Sequence, residues 1–145
     1  MAEQSLKWNG DALSAKMKRA QIRGVNGTMA LCVQDAKANH PWQNQTGVLE
    51  GSYDIAEGAH PEGTGVAGTW GSQGVKYALA QELGATIVPV KAKALAIPQP
   101  DGSVRFVKRV VIPPRPALRP AADRNYPKLP EMIRRAFDAD GEAAR

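Results

Sequence analysis

The apolar positions from Asp11 to Asn39 recur every three to four residues, the spacing of an amphipathic helix. Pro41 ends this pattern, because the residue before a proline is pushed out of the helical region. The apolar face rotates near Gly24 and Gly27, and a glycine lowers helix stability by about 1 kcal/mol relative to alanine. We therefore expect a long N-terminal helix with a kink or a break at these glycines.

The middle of the chain favours short strands and one short helix. Alternation of apolar and polar residues predicts a strand over Val48 to Ile55, and a second strand around Val66 to Trp70 within the glycine-rich span 58–74. Lys76 to Leu83 is apolar on one side, which predicts a brief helix that Gly84 terminates.

Two β-rich runs between Thr86 and Ile112 flank Asp101-Gly102, a pair of residues that strongly favours a hairpin turn. The sequence therefore predicts a long β-hairpin extension over 86–112. Its apolar residues are interleaved with positive charges, which keep an exposed strand from pairing with a wrong edge: Lys91, Lys93, Arg105, Lys108 and Arg109.

A stiff, extended segment at Pro113 to Pro116 separates this hairpin from a helical pattern over 118–137. Pro127 and Pro130 indicate that the regular C-terminal helix starts near residue 128 or 129, and residues 140–145 are expected to form a flexible tail. The predicted fold is α+β, with a long N-terminal helix and a C-terminal helix packed on a small antiparallel sheet.

Size and composition favour one domain over residues 1–145 with a modest core. The chain has 145 residues, of which 14 are Gly and 11 are Pro, and only 6% are aromatic, so the subunit is expected to depend on its neighbours. Its net charge of +5 favours acidic or nucleic-acid partners through long-range attraction. It shows neither a signal-peptide pattern nor a membrane-spanning apolar run, so we expect no membrane association.

The candidates for catalysis lack their usual context. The string Gly63 to Gly68 matches the dinucleotide fingerprint G-x-G-x-x-G, but neither a preceding strand nor a following helix is predicted. Cys32 with His40 lacks a third orienting group, and Cys32 lies on an apolar helix face. We predict no catalytic, cofactor-binding or metal-binding residue. An enzyme would have to use residues whose spacing recommends no reaction: His40, His60, Asp54, Glu57 and Glu62.

Four segments appear together and in order, and together they span Lys37 to Ala121. They are Ala36-Lys37-Ala38-Asn39-His40-Pro41-Trp42, Thr46-Gly47-Val48-Leu49, Tyr77-Ala78 with Glu82-Leu83-Gly84, and Ile112 to Ala121. The series resembles the tail-completion or neck protein family of tailed bacteriophages, and is similar also to the virion morphogenesis proteins of Mu-like phages. This sequence has Ala117 where the family usually has a bulky aromatic residue.

The resemblance implies a non-enzymatic α+β subunit of the virion that is assembled in the host cytoplasm and forms a ring, often of six, at the head–tail junction. The expected partners are other copies of the chain, a head-closure or adaptor protein, and a tail terminator or tail tube. The candidate residues for subunit or partner contacts are Trp42, Tyr77, Glu82, Pro113, Pro114, Arg115, Pro116, Leu118 and Arg119.

We expect the positive charges of the hairpin to face either passing DNA in the ring lumen or an acidic neighbouring ring, because phosphate attraction needs no particular sequence. Two alternatives stay open. One is a tail terminator or head-closure protein in the same neck. The other is a DNA-binding packaging accessory protein, which would bind duplex DNA in a salt-sensitive manner.

Overall fold

The computed structural model describes residues 5–43 and 46–141 and has the α+β fold that the sequence predicts. Within these residues, no helix is long and apolar enough to cross a membrane. The elements in chain order are α1 (Gly10–Ala38), α2 (Val48–Gly51), β1 (Tyr53–Glu62), β2 (Gly65–Ser72), α3 (Ala78–Leu83), β3 (Ala85–Ile87), β4 (Leu95–Pro98), β5 (Val104–Val107), β6 (Val110–Ile112), α4 (Leu118–Asn125), a 3-10 turn (Tyr126–Lys128) and α5 (Leu129–Ala139).

Helix α1 runs without interruption for 29 residues, so the expected break at its glycines is wrong. The glycines lie where α5 crosses α1. A Cβ atom at Gly24 would overlap the side chain of Ile133 and come within 3.0 Å of its backbone nitrogen, and one at Gly27 would meet the end of the Met132 side chain. Close packing of the two helices therefore explains the glycines, and it outweighs their low helix propensity.

The hairpin of β1 and β2 covers one side of α1. The strand expected over 48–55 is wrong in its first half, because Val48–Gly51 forms a helical turn and β1 begins at Tyr53. Local hydrogen bonds hold this turn: the Ser52 hydroxyl donates to the carbonyl of Leu49 at 2.6 Å. The second strand is confirmed as β2, which pairs antiparallel with β1.

The hairpin predicted between residues 86 and 112 is confirmed, but its pairing is divided between two short ladders. Strand β3 pairs with β6 at the base, and β4 pairs with β5 at the tip, across the turn at Asp101 and Gly102. Seven unpaired residues, 88–94, separate β3 from β4, whereas only two separate β5 from β6. The sheet is thus three separate two-stranded ladders.

The C-terminal region follows the proline signals. Pro120 lies in the first turn of α4, Pro127 lies in the 3-10 turn, and α5 begins at Leu129. The flexible tail expected from residue 140 is wrong at its first residue, because Asp140 is buried and accepts a 2.7 Å hydrogen bond from Arg19 of α1. Residues 142–145 of that expected tail lie outside the described residues.

One cluster of buried side chains joins α1, the segment after it, β1 and α4. Trp42 stacks on His40 with ring centroids 3.7 Å apart and meets the ring of Tyr53 edge-on. Fully buried Ala117, where the resembled family has an aromatic residue, lies in the same cluster. The cluster consists of Ala36, Trp42, Leu49, Tyr53, Ala117 and Ala121.

Candidate assembly interface

The hairpin of residues 86–112, here called the arm, exposes an apolar face at its tip. Residues paired directly across an antiparallel ladder lie on the same face. The pairs Ala96 with Phe106 and Pro98 with Val104 therefore form one face, and all four residues are exposed. Phe106 is 69% exposed. A lone exposed apolar residue needs no explanation, but a continuous apolar face suits a contact with another protein.

The opposite face of the tip is better covered. Leu95 pairs with Val107, and Ile97 pairs with Arg105; the three apolar residues are half-buried. The arm packs mainly on itself and shares no extensive contact with α1, α4 or α5. It therefore has the form of an extension from the body of the subunit.

The arm also concentrates positive charge. Five lysines and arginines against the single Asp101 give residues 86–112 a net charge of +4. Hydrogen bonds from Ser103 lower the pKa of Asp101, so this carboxylate is committed to the turn. Within the described residues no ion pair involves any of the five exposed cations, which are Lys91, Lys93, Arg105, Lys108 and Arg109.

Three of the predicted contact residues line one open cavity of about 480 Å³. Trp42, Tyr77 and Arg115 come from three distant parts of the sequence. The backbone N–H of Arg115 donates to the carbonyl of Gln81 at 2.8 Å, which holds Arg115 beside α3. Gln43, Thr46 and Leu49 complete the lining. Trp42 is largely buried, and its Nε1 has no hydrogen-bond acceptor within the described residues.

Glu82 has a clear role inside the fold. Its carboxylate accepts hydrogen bonds of 2.8, 2.9 and 3.0 Å from the backbone N–H groups of Ala117, Leu118 and Arg119 at the start of α4. These are among the N–H groups that a helix leaves without an internal partner. Glu82 thus ties α3 to α4 and also borders the second groove.

The second groove, of about 500 Å³, has a largely apolar lining. Four predicted contact residues border it: Glu82, Pro116, Leu118 and Arg119. Trp70 of β2 forms part of the wall and donates from Nε1 to the hydroxyl of Tyr126 at 3.0 Å.

The remaining two predicted contact residues frame the end of the arm. Pro113 is exposed, and Pro114 lies close to Gly84. Gly84 has a φ of +76°, and a Cβ there would lie 2.8 Å from the carbonyl oxygen of Ile112. Only glycine fits this close approach without strain.

Of the residues considered for catalysis, Asp54, Glu57, His60 and Glu62 all lie on β1, and His60 Nδ1 is 3.6 Å from Glu57 Oε1. His40 follows α1 and stacks on Trp42 instead.

Gly63 and Thr64 lie in the turn between β1 and β2, so a strand does precede the G-x-G-x-x-G string, contrary to the prediction. The rest of the string runs along β2, and no helix opens from it. Burial is the main cause that raises the pKa of the Cys32 thiol, which keeps this group in its unreactive form. No cluster of metal-ligating side chains occurs within residues 5–43 and 46–141.

The sequence reasoning missed a second charged surface. Asp54, Glu57 and Glu62 all lie on β1, and residues 53–72 contain no lysine or arginine. Counting charges by hairpin rather than over the whole chain would have found this segregation.

Comparisons with models of known protein families, with curated proteins and with solved structures find no match to this chain.

Proposed function

We propose that this protein is a structural subunit of the head–tail junction of a tailed bacteriophage, where its copies form a ring that completes the tail or joins it to the head. The observation that carries this proposal is the arm, which exposes an apolar face and five cations that form no ion pair within the described residues. Such an extension suits a contact in which one patch of each subunit meets a different patch of the next, the arrangement that generates rings.

The segments that carry the resemblance to the phage family lie close together in space. Trp42, Leu49, Ala117 and Ala121 come from three of the four segments and share one buried cluster. The remaining segment, Tyr77-Ala78 with Glu82-Leu83-Gly84, contributes Glu82. The carboxylate of Glu82 accepts a hydrogen bond at the start of α4.

The role is mechanical. The buried cluster and the packing of α1 on α5 give a firm body, and the arm with the two grooves supplies surfaces for neighbours. The exposed proline segment after β6 adds a stiff edge that loses little entropy when it is bound, because proline already restricts its backbone.

A genetic test is direct. Deleting this gene from a phage genome that carries it is expected to give filled heads and separate tails that do not join, and adding the purified protein to such a lysate is expected to restore infectious particles. Normal infectious particles made without the gene would contradict the proposal.

A further inference from the structure

The two hairpins of this chain carry opposite charge. Residues 53–72 hold three carboxylates and neither lysine nor arginine, a net charge of −3, while residues 86–112 carry +4. The chain as a whole has a net charge of only +5, so this separation does not follow from its overall composition.

The strand register gathers the carboxylates on one face of the β1–β2 hairpin, here called the acidic face. Asp54 pairs with Gly71, Glu57 with Thr69 and Glu62 with Gly65. These partners are all odd-numbered residues of β2, so they point to the same side. Irregularities between Ile55 and Glu57, and between Glu57 and His60, keep the three acids in phase.

The acidic face points away from the body. The other face of β2 carries Gly68 and Trp70: Gly68 lies against Met29 of α1, and Trp70 bonds to Tyr126. Asp54, Glu57 and Glu62 are exposed. Helix α1 thus covers one side of the hairpin and leaves the other side free.

Within one subunit the opposite charges do not meet. The arm and the β1–β2 hairpin share no extensive contact, and within the described residues no ion pair links them. The acidic face has only local neighbours of opposite charge: His60 Nδ1 lies 3.6 Å from Glu57, and Lys18 of α1 donates to the carbonyl of Gly65 at 3.1 Å. Within the described residues, neither Asp54 nor Glu62 forms an ion pair.

We propose that the arm of one copy docks on the acidic face of the next copy, with Arg105, Lys108 and Arg109 opposite Asp54, Glu57 and Glu62. This inference rests on the proposed ring and names its subunit contact. The contact joins two different patches, so it repeats from copy to copy and closes when the rotation between neighbours allows it. Electrostatic complementarity of this kind sets register and partner choice.

A neighbouring copy matches these surfaces better than DNA does. DNA would neutralise the arm but leave the acidic face without a counterpart, and a row of carboxylates repels phosphate. A second copy satisfies both surfaces in one contact.

The test uses two full-length variants with reversed charges. The arm variant carries R105E, K108E and R109E, and the face variant carries D54K, E57K and E62K. All six positions are exposed, so both variants are expected to melt like the wild type. Sedimentation velocity is measured at low salt for the wild type, for each variant, and for their equimolar mixture.

Each variant alone is expected to self-associate about a hundredfold more weakly than the wild type, because like charges then face each other. The mixture is expected to recover assembly, since the reversed arm of one variant fits the reversed face of the other and their native surfaces also match. A control with K7E, R23E and K76E changes net charge as much as the arm variant does, at exposed sites off the arm, and is expected to assemble like the wild type.

Assembly of the arm variant at wild-type strength would overturn the docking contact and leave the ring itself standing. The same holds for a mixture that fails to reassemble. If the arm variant loses binding to a random-sequence DNA duplex while it assembles normally, the arm serves DNA instead. Wild-type protein that stays monomeric at low salt, alone and in the presence of phage heads and tails, would contradict both the ring and this contact.

Discussion

The carboxylate of Glu82 in α3 accepts a 2.9 Å hydrogen bond from the backbone N–H of Leu118, the first residue of α4. Two further N–H groups at the same helix start donate to this carboxylate. A residue 36 positions earlier in the chain thus performs the task that a capping residue next to the helix usually performs.

Replacing Glu82 by alanine is therefore expected to lower the free energy of unfolding by about 1–2 kcal/mol, a typical cost of a lost helix cap. Glu82→Gln keeps one acceptor oxygen and is expected to cost less. Urea unfolding of the monomer measures both, with Glu62→Ala on the exposed end of β1 as the control. Wild-type stability of Glu82→Ala would show that these bonds contribute nothing.

The glycines of α1 give a paired test. Gly24→Ala is expected to destabilise the protein by about 1–3 kcal/mol, because the new methyl group overlaps Ile133 and its backbone. Gly27→Ala meets only the flexible end of Met132, so the gain in helix propensity, up to about 1 kcal/mol, offsets the crowding. Thermal melts of the two variants compare them directly. Equal effects would contradict the close crossing of α1 and α5 at Gly24.

Asp35 predicts the response to acid. Its carboxylate receives hydrogen bonds from Arg124 at 2.7 and 2.8 Å and from Asn125 at 2.7 Å. The bond to Arg124 is the main cause that holds the pKa of Asp35 well below its usual value. A lowered folded-state pKa stabilises the protein above the unfolded-state pKa, about 3.9 for aspartate, and this stabilisation is lost as the pH falls below it.

Asp35→Asn is accordingly expected to be less stable than the wild type at pH 7, and the difference is expected to shrink as the pH falls below about 4. Urea midpoints at several pH values measure it, and Asp54→Asn on the exposed acidic face is the control. A stability difference that stays constant from pH 7 to pH 2 would contradict the role of the Asp35 charge.

A substitution at Phe106 is expected to weaken self-association without changing the stability of the monomer. Phe106→Thr retains strand propensity but removes the largest side chain of the exposed apolar face, so it is expected to change monomer stability by less than about 0.5 kcal/mol. The same variant is expected to weaken self-association. Leu79→Gln is a matched control, because Leu79 is also 69% exposed but lies in α3, off the arm. Equal self-association of the two variants would contradict a contact through the arm tip.

Much of the fold follows from local signals in the sequence. Three-to-four spacing predicts α1, Asp101-Gly102 predicts the arm, and Pro127 with Pro130 sets the start of α5. Each of these signals acts over a few neighbouring residues. The helices and strands that these signals predict therefore form where the sequence places them.

Two of the wrong predictions concern residues whose roles depend on distant parts of the chain. Gly24 weakens a helix in isolation, and only the approach of Ile133 explains it. From sequence alone Asp140 is expected to begin a flexible tail. In the structure it pairs with Arg19, which lies 121 positions earlier in the chain. The spacing of residues along the sequence predicts neither of these two contacts.

The candidate interface likewise has one part that the sequence predicts and one part that only the structure reveals. The cations of the arm are readable from the sequence, and the structure exposes all five of them. The acidic face is not readable in the same way, because the irregularities in β1 decide which side each carboxylate takes. A regular strand would place Asp54 and Glu57 on opposite faces.

The most direct test of the ring is the mass of the purified protein in solution, measured by light scattering over a wide concentration range, alone and with phage heads or tails that lack it. The account predicts one discrete assembly with a constant number of subunits, formed by the protein alone or on those particles. A monomer at every concentration that binds neither heads nor tails would contradict it.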